Sequence, residues 1–202
     1  MIDWRMQMAE KTYFTALPLP VDMKRKLFKW KMRTRGTDAF RKWVYEEDYH
    51  ITLKYLGVCD ADRLSAVREQ LETIRGPMPF TLRLSGIGYF GRRENPRILW
   101  AGVEGELDKL HELQARVEKA MNVIGFEAEN RPYRPHVTIA KNFQGTHFDL
   151  ERWTSRWSEE MGSLPEWTAD SIVLYRTDLG SQPMYQVEGV YPLSSTPRGE
   201  AE

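Results

Sequence analysis

Two stretches decide the fold: YHITLKYLGV (49–58) and RPHVTIAKN (134–142). Both read as strands from their periodicity. Both also carry one pattern, His50-Ile51-Thr52-Leu53 in the first and His136-Val137-Thr138-Ile139 in the second. Side chains alternate along a strand, so each His shares a face with its Thr while Ile51, Leu53, Val137 and Ile139 enter the opposite, apolar face. Each strand therefore aims an imidazole and a hydroxyl, about 7 Å apart, out of the core.

Working outward, the same order of elements surrounds each motif. In the first half, TYFTALPLP (12–20) reads as a strand ended by prolines. A helix follows from Val21 to Arg33, with Met23, Leu27 and Trp30 as its apolar stripe. After the motif strand comes DRLSAVREQLETIR, a helix capped by Asp60 or Asp62 and stopped at Gly76-Pro77. FTLRLSGIGYF (80–90) alternates as a strand closed by Gly91. In the second half, RILWAGVE (97–104) is a strand and LDKLHELQARVEKAMNVIG (107–125) an amphipathic helix ending at glycine. The motif strand, a helix at LERWTSRWSEEM (150–161) and a strand at ADSIVLYRTDL (169–179) complete the copy. PMYQVEGVYPL (183–193) adds a strand across the Gly180-Ser181 turn.

The expected fold is α+β, built from duplicated strand-helix-strand-helix-strand units at 12–90 and 97–193. They form two pseudo-symmetric lobes, each with an antiparallel-rich sheet lining a central cleft and helices outside. No linker rich in Gly, Pro or Ser parts the halves, so 1–202 reads as a single bilobed domain, with 194–202 a frayed tail.

Composition bounds the function. Across 202 residues, 29 Lys+Arg balance 29 Asp+Glu, which excludes a generally basic nucleic-acid coat and an acidic disordered chain. An anionic ligand must be held by a local site. The lone cysteine, Cys59, makes neither an internal disulfide nor a cysteine-based zinc site and reads as a small buried hydrophobe. The charged N-terminal stretch lacks the apolar run of a signal peptide, and nothing approaches the roughly 18 apolar residues of a membrane span. A cytoplasmic monomer is the expectation.

Of four histidines, two open the repeated pattern. His111, on a helix, and His147, in a polar loop, read as surface residues. Imidazole titrates near neutrality, so one motif His can act as base while its twin acts as acid. The hydroxyls of Thr52 and Thr138 can donate to non-bridging phosphate oxygens as charge grows there. The set suits opening of a phosphodiester, above all a strained cyclic phosphate, and calls for no metal or cofactor.

At these residues the chain resembles the two-histidine phosphoesterase superfamily and, more narrowly, the RNA 2′,3′-cyclic phosphodiesterases, historically called 2′-5′ RNA ligases. The resemblance runs from Phe14 to Leu193 through FTALPLP, HITLKYLG, PRILWAGVEG, RPYRPHVTIAK, VLYRTDLG and MYQVEGVYPL. It implies His50 as general acid, His136 as general base, and Thr52 and Thr138 as phosphate grips. The near-symmetric repeat does not itself assign acid and base. The implied ligands are RNA 3′ ends or small cyclic nucleotides in the inter-lobe cleft. Running the same site in reverse gives 2′-5′ ligation, and a non-catalytic RNA-end binding module is the alternative of another class.

Two departures from the family pattern matter. Lys141 stands where many relatives have arginine, which keeps the charge but loses the two-pronged grip. Strict alternation also turns Lys141 away from His136, so it reaches the site only if the strand ends or bulges. Tyr55 has the same parity problem, whereas Lys54 shares a face with His50 and is an alternative cation. The second departure is the long polar segment 34–48, read as a lid or an RNA-facing loop.

Arg134, with Arg92, Arg93 and Arg131, flanks the site strands, and Tyr133 and Phe14 are candidates to stack on a base. The basic run KRKLFKWKMRTR (24–35) reads as the solvated face of a helix more readily than as a phosphate track. Trp100, Trp153 and Trp157 read as packing residues.

Overall fold

The computed structural model describes residues 11–34, 40–161 and 164–193. Among them the chain forms four helices and nine strands, with every strand pair antiparallel. The strands are β1 (Thr12–Pro18), β2 (Phe40–Trp43), β3 (His50–Val58), β4 (Phe80–Arg92), β5 (Asn95–Gly105), β6 (His136–Phe143), β7 (Trp167–Ala169), β8 (Ser171–Thr177) and β9 (Tyr185–Pro192). The helices are α1 (Val21–Thr34), α2 (Ala61–Thr73), α3 (Leu107–Val123) and α4 (Leu150–Met161). The tail at 194–202 and residues 35–39 of the suspected lid lie outside the described residues.

The sheet runs β7-β4-β5-β6-β3-β1-β8-β9, with β2 added beside β6. The two motif strands, β6 and β3, lie side by side at the centre and meet at the pair Ile51↔Val137. The duplicated α+β architecture expected from the sequence is present, and the topology refines it. Each half of the sheet mixes both sequence repeats, because β4 leaves its own repeat to pair with β5, and β8 pairs with β1. The two-residue turn at Arg93-Glu94 closes β4 and β5 into a hairpin, and that local pairing outweighs the repeat boundary.

The helices cover the two halves in pairs. Trp30 of α1 packs its ring 5.8 Å from Trp153, tilted, and 5.3 Å from Trp157 of α4, edge-on. On the other half α2 and α3 pack on each other and reach β9 and β3. Leu110, Leu113, Val117 and Met121 of α3 are fully buried at helical spacing, each contributing about 1.5–3 kcal/mol as an upper figure. Asp60, of the two candidate caps, is the one used: its Oδ1 accepts from the Arg63 amide at 2.8 Å. Gly125, at φ 84°, ends α3 while the Phe126 amide donates back to the Met121 carbonyl. No described helix is long and apolar enough to cross a membrane.

Candidate active site

Both motif strands break their alternation at the same step. Along β3, Thr15 pairs with Lys54 and Ala16 with Thr52, so Leu53 is an extra residue. Along β6, Leu99 pairs with Ala140 and Trp100 with Thr138, so Ile139 is the extra one. A bulge resets which face the following residues occupy. Leu53 and Lys54 are buried in succession and Tyr55 emerges exposed; Ile139 and Ala140 are buried in succession and Lys141 emerges half-buried. The parity obstacle to Tyr55 and Lys141 is thereby removed.

A pocket of about 220 Å³ opens between the motif strands. His50, Thr52 and Tyr55 line it from β3, Thr138 and Lys141 from β6, and Phe14 from β1. Four residues with no sequence signal complete the wall: Val44, Asp48, Thr177 and Tyr185. His136 stands beside this pocket, with Phe90 edge-on at 4.9 Å and Trp100 at 6.2 Å.

The two imidazoles are held in the same way. His50 Nδ1 donates to the Asp48 carbonyl at 2.7 Å, and His136 Nδ1 donates to the Arg134 carbonyl at 2.7 Å. A carbonyl only accepts, so the neutral rings carry their proton on Nδ1 and leave Nε2 as the basic nitrogen. The Thr52 hydroxyl donates to Nε2 of His50 across 3.1 Å.

Aromatic walls desolvate His50. The Phe14 ring lies 4.8 Å away, Tyr185 5.1 Å away edge-on and Tyr175 5.9 Å away. Burial pushes the His50 pKa down to about 4, opposed by the bond to the Asp48 carbonyl and reinforced by the charge of Lys141. His136 is likewise lowered, first by burial and then by Lys141, against the raising effect of the Arg134 carbonyl. Burial also lowers Lys141.

Asp48 organises the pocket from beneath. It is 4% exposed, and its carboxylate accepts from the Met184 and Tyr185 amides at 3.0 Å each. One residue thus fixes the His50 ring through its carbonyl and the start of β9 through its side chain. Part of the expected lid is structured: β2 pairs with β6, setting Phe40 against Phe143 and Lys42 against Lys141. Lys24 and Lys31 of the basic run tie down the segment between β2 and β3, donating to the Glu47 carbonyl at 2.6 Å and the Val44 carbonyl at 2.9 Å. Arg33 pairs with Glu160 on α4 at 3.1 Å.

Other candidates lie elsewhere. Lys54 points into the protein, where its ammonium meets Glu118 and the Glu127 carbonyl, each at 2.8 Å; the bulge carried it off the pocket face. Tyr133 donates its hydroxyl to the Thr52 carbonyl at 3.0 Å and sets its ring against His111, so it buttresses the motif strand. The Arg134 side chain is exposed, and its carbonyl is what meets the site. Phe14 is buried against His50. Arg92 and Arg93 are exposed at the β4–β5 turn, and Arg131 pairs with Glu129. His111 and His147 are exposed, and Cys59 packs half-buried against the core.

The chain is 37% identical over 195 residues to an RNA 2′,3′-cyclic phosphodiesterase of Geobacillus stearothermophilus, covering 95% of this chain and 60% of the relative's length. A Bacillus subtilis protein of the same name is 29% identical over 181 residues, 86% of this chain and 92% of the relative. The fold matches E. coli LigT in complex with 3′-AMP at a TM-score of 0.73 and 22% identity, covering 91% of this chain and 98% of that one. The profile of the 2′-5′ RNA ligase superfamily matches residues 23–181. The chain is therefore a member of the 2′-5′ RNA ligase superfamily.

Proposed function

We propose that the chain hydrolyses RNA or nucleotide 2′,3′-cyclic phosphate ends to 2′-phosphates, with His136 as general base, His50 as general acid and no metal. The observation that carries this reading is the matched pair of imidazoles. Each is locked by Nδ1 to a carbonyl two residues upstream, which leaves Nε2 as the nitrogen that exchanges protons, on His50 beside the Thr52 hydroxyl. The names of the relatives support a 2′,3′-cyclic phosphodiesterase, and the 3′-AMP held by E. coli LigT supports a nucleotide site.

In this reading His136 Nε2 takes a proton from water as its oxygen bonds to phosphorus. The bond from phosphorus to the 3′ oxygen breaks, and His50 delivers its Nε2 proton to that oxygen. The 2′-phosphate remains, and the two histidines return to their starting states by exchanging protons with solvent. Thr52, Thr138 and Lys141 meet the non-bridging oxygens, where negative charge grows. Burial keeps His50 neutral in the free protein, and the arriving phosphate anion raises its proton affinity. The acid is therefore armed by the substrate. The assignment of acid and base follows the family resemblance.

Incubation with 2′,3′-cyclic nucleotides in the presence of a chelator tests the reading. Undiminished release of the 2′-phosphate is the expected result; a 3′-phosphate product or no turnover contradicts it. The family's name also favours a second reading, joining of a 5′-hydroxyl RNA to a cyclic-phosphate RNA by the same groups in reverse. A joined 2′-5′ product from supplied RNA halves identifies it. Tight binding of such ends without any product identifies an RNA-end binding module.

A further inference from the structure

No local pattern singles out Lys42, and the topology gives it a place beside the pocket wall. Strand β2 pairs with β6 so that Lys42 lies opposite Lys141. Paired residues on adjacent antiparallel strands stand about 4.5–5.5 Å apart at Cα and project from the same face. From there Lys42 reaches across to the start of β9, where its Nζ approaches the Met184 sulfur at 3.5 Å. Both ends of this span adjoin the pocket wall: Val44 follows Lys42 by two residues, and Tyr185 follows Met184 directly. The ammonium therefore sits between two segments that each carry a residue of the pocket wall.

Its contact there is a weak one. A thioether is a poor acceptor for an ammonium, while a phosphate oxygen forms a short, charge-assisted bond. The two lysines repel, and the charge of Lys42 helps to hold Lys141 below its ordinary proton affinity. Asp48, the carboxylate that acts on Lys141, is buried and already accepts from two amides. A second phosphate beside Lys42, next to the one that Lys141 meets, adds negative charge that relieves this repulsion at the edge of the site.

We propose that Lys42 forms a second phosphate subsite at the mouth, which takes the phosphodiester one nucleotide upstream of the cyclic end. This rests on the hydrolase reading above and narrows its substrate class: oligonucleotide ends are favoured over mononucleotides. Only one extra phosphate is engaged, in keeping with a chain whose charges balance.

The test compares a 2′,3′-cyclic mononucleotide with a dinucleotide ending in the same cyclic phosphate, for the wild type, Lys42→Met and Lys42→Arg. The wild type is expected to favour the dinucleotide in kcat/KM. Lys42→Met reduces that preference about tenfold, and Lys42→Arg retains most of it. For the dinucleotide, the negative slope of log kcat/KM against log salt becomes shallower by about 0.7 in Lys42→Met. A preference unchanged in Lys42→Met overturns the proposal.

Calorimetric binding of the unreactive products gives a second readout without turnover. A nucleoside 2′-phosphate is compared with the dinucleotide bearing a terminal 2′-phosphate. If the wild type hydrolyses nothing, the hydrolase reading falls, while the ratio of the two affinities still decides the role of Lys42. An equal ratio in the wild type and Lys42→Met rejects the subsite.

Discussion

Asp48 holds His50 directly and holds the strand that walls it in: the Asp48 carbonyl accepts from His50 Nδ1 at 2.7 Å, while its carboxylate accepts from the Met184 and Tyr185 amides where β9 begins. Tyr185, whose amide is one of these, sets its ring 5.1 Å from His50. The aspartate thus acts as a positioning residue for the imidazole and for the wall that desolvates it.

Replacing Asp48 with Asn turns one of those acceptors into a donor facing an amide. An unsatisfied buried group of this kind costs about 1–3 kcal/mol, and Asp48→Asn is expected to lose that much in urea unfolding. Loosening Tyr185 also moves the acidic limb of the pH–kcat/KM profile toward the ordinary histidine value. A loss of stability with no movement of the profile would make Asp48 purely structural.

The His50 pKa carries a stability signature of its own. The ordinary imidazole value is 6.5 and the folded value is about 4. Between these values the unfolded chain holds a proton that the folded chain lacks, so stability rises with pH across the window and is lost as pH falls through it. The expected size is on the order of 2 kcal/mol. Denaturation of the wild type and His50→Gln at pH 4.5 and 7.5 isolates it: the variant flattens the difference, apart from the same-signed part due to His136.

Lys54 separates packing from substrate contact. Its ammonium is 6% exposed at the side chain and is paired with Glu118. Removing one partner of a buried pair costs about 3–5 kcal/mol, so Lys54→Met is expected to lose about 3 kcal/mol while KM for a cyclic nucleotide changes less than twofold. A large rise in KM in a still-folded protein would return Lys54 to the substrate.

Gly88 makes room for a neighbour of His136. A Cβ at this position would lie 2.2 Å from the Trp100 ring, too close for the rigid indole to stay. Gly88→Ala is expected to shift tryptophan fluorescence and to lower kcat/KM about tenfold, because Trp100 and Phe90 together flank His136. Unchanged kinetics would show that the indole wall is dispensable.

The sequence made the strands, the helices and the paired motifs legible because each rests on local periodicity. His-x-Thr-x names its own exposed face, and Asp60 and Gly125 mark helix ends by their own chemistry. The bulges at Leu53 and Ile139 were not legible, because an extra residue shows only against its partner strand. That single feature exchanged the roles read for Lys54 and Tyr55. Strands β2 and β7, of four and three residues, are too short to show a period. Asp48 and Tyr185 reach the site through pairings more than a hundred residues apart in sequence, which no local pattern records.

Turnover of a 2′,3′-cyclic nucleotide by wild type, His50→Ala, His136→Ala and the double variant tests the paired-imidazole account most directly. General acid and base each contribute about 10²–10⁴-fold, and groups that act as a unit are strongly non-additive. The account predicts that either single variant loses about a thousandfold in kcat, that the double variant loses little more, and that the wild-type product is the 2′-phosphate. Wild-type turnover by the double variant would contradict it.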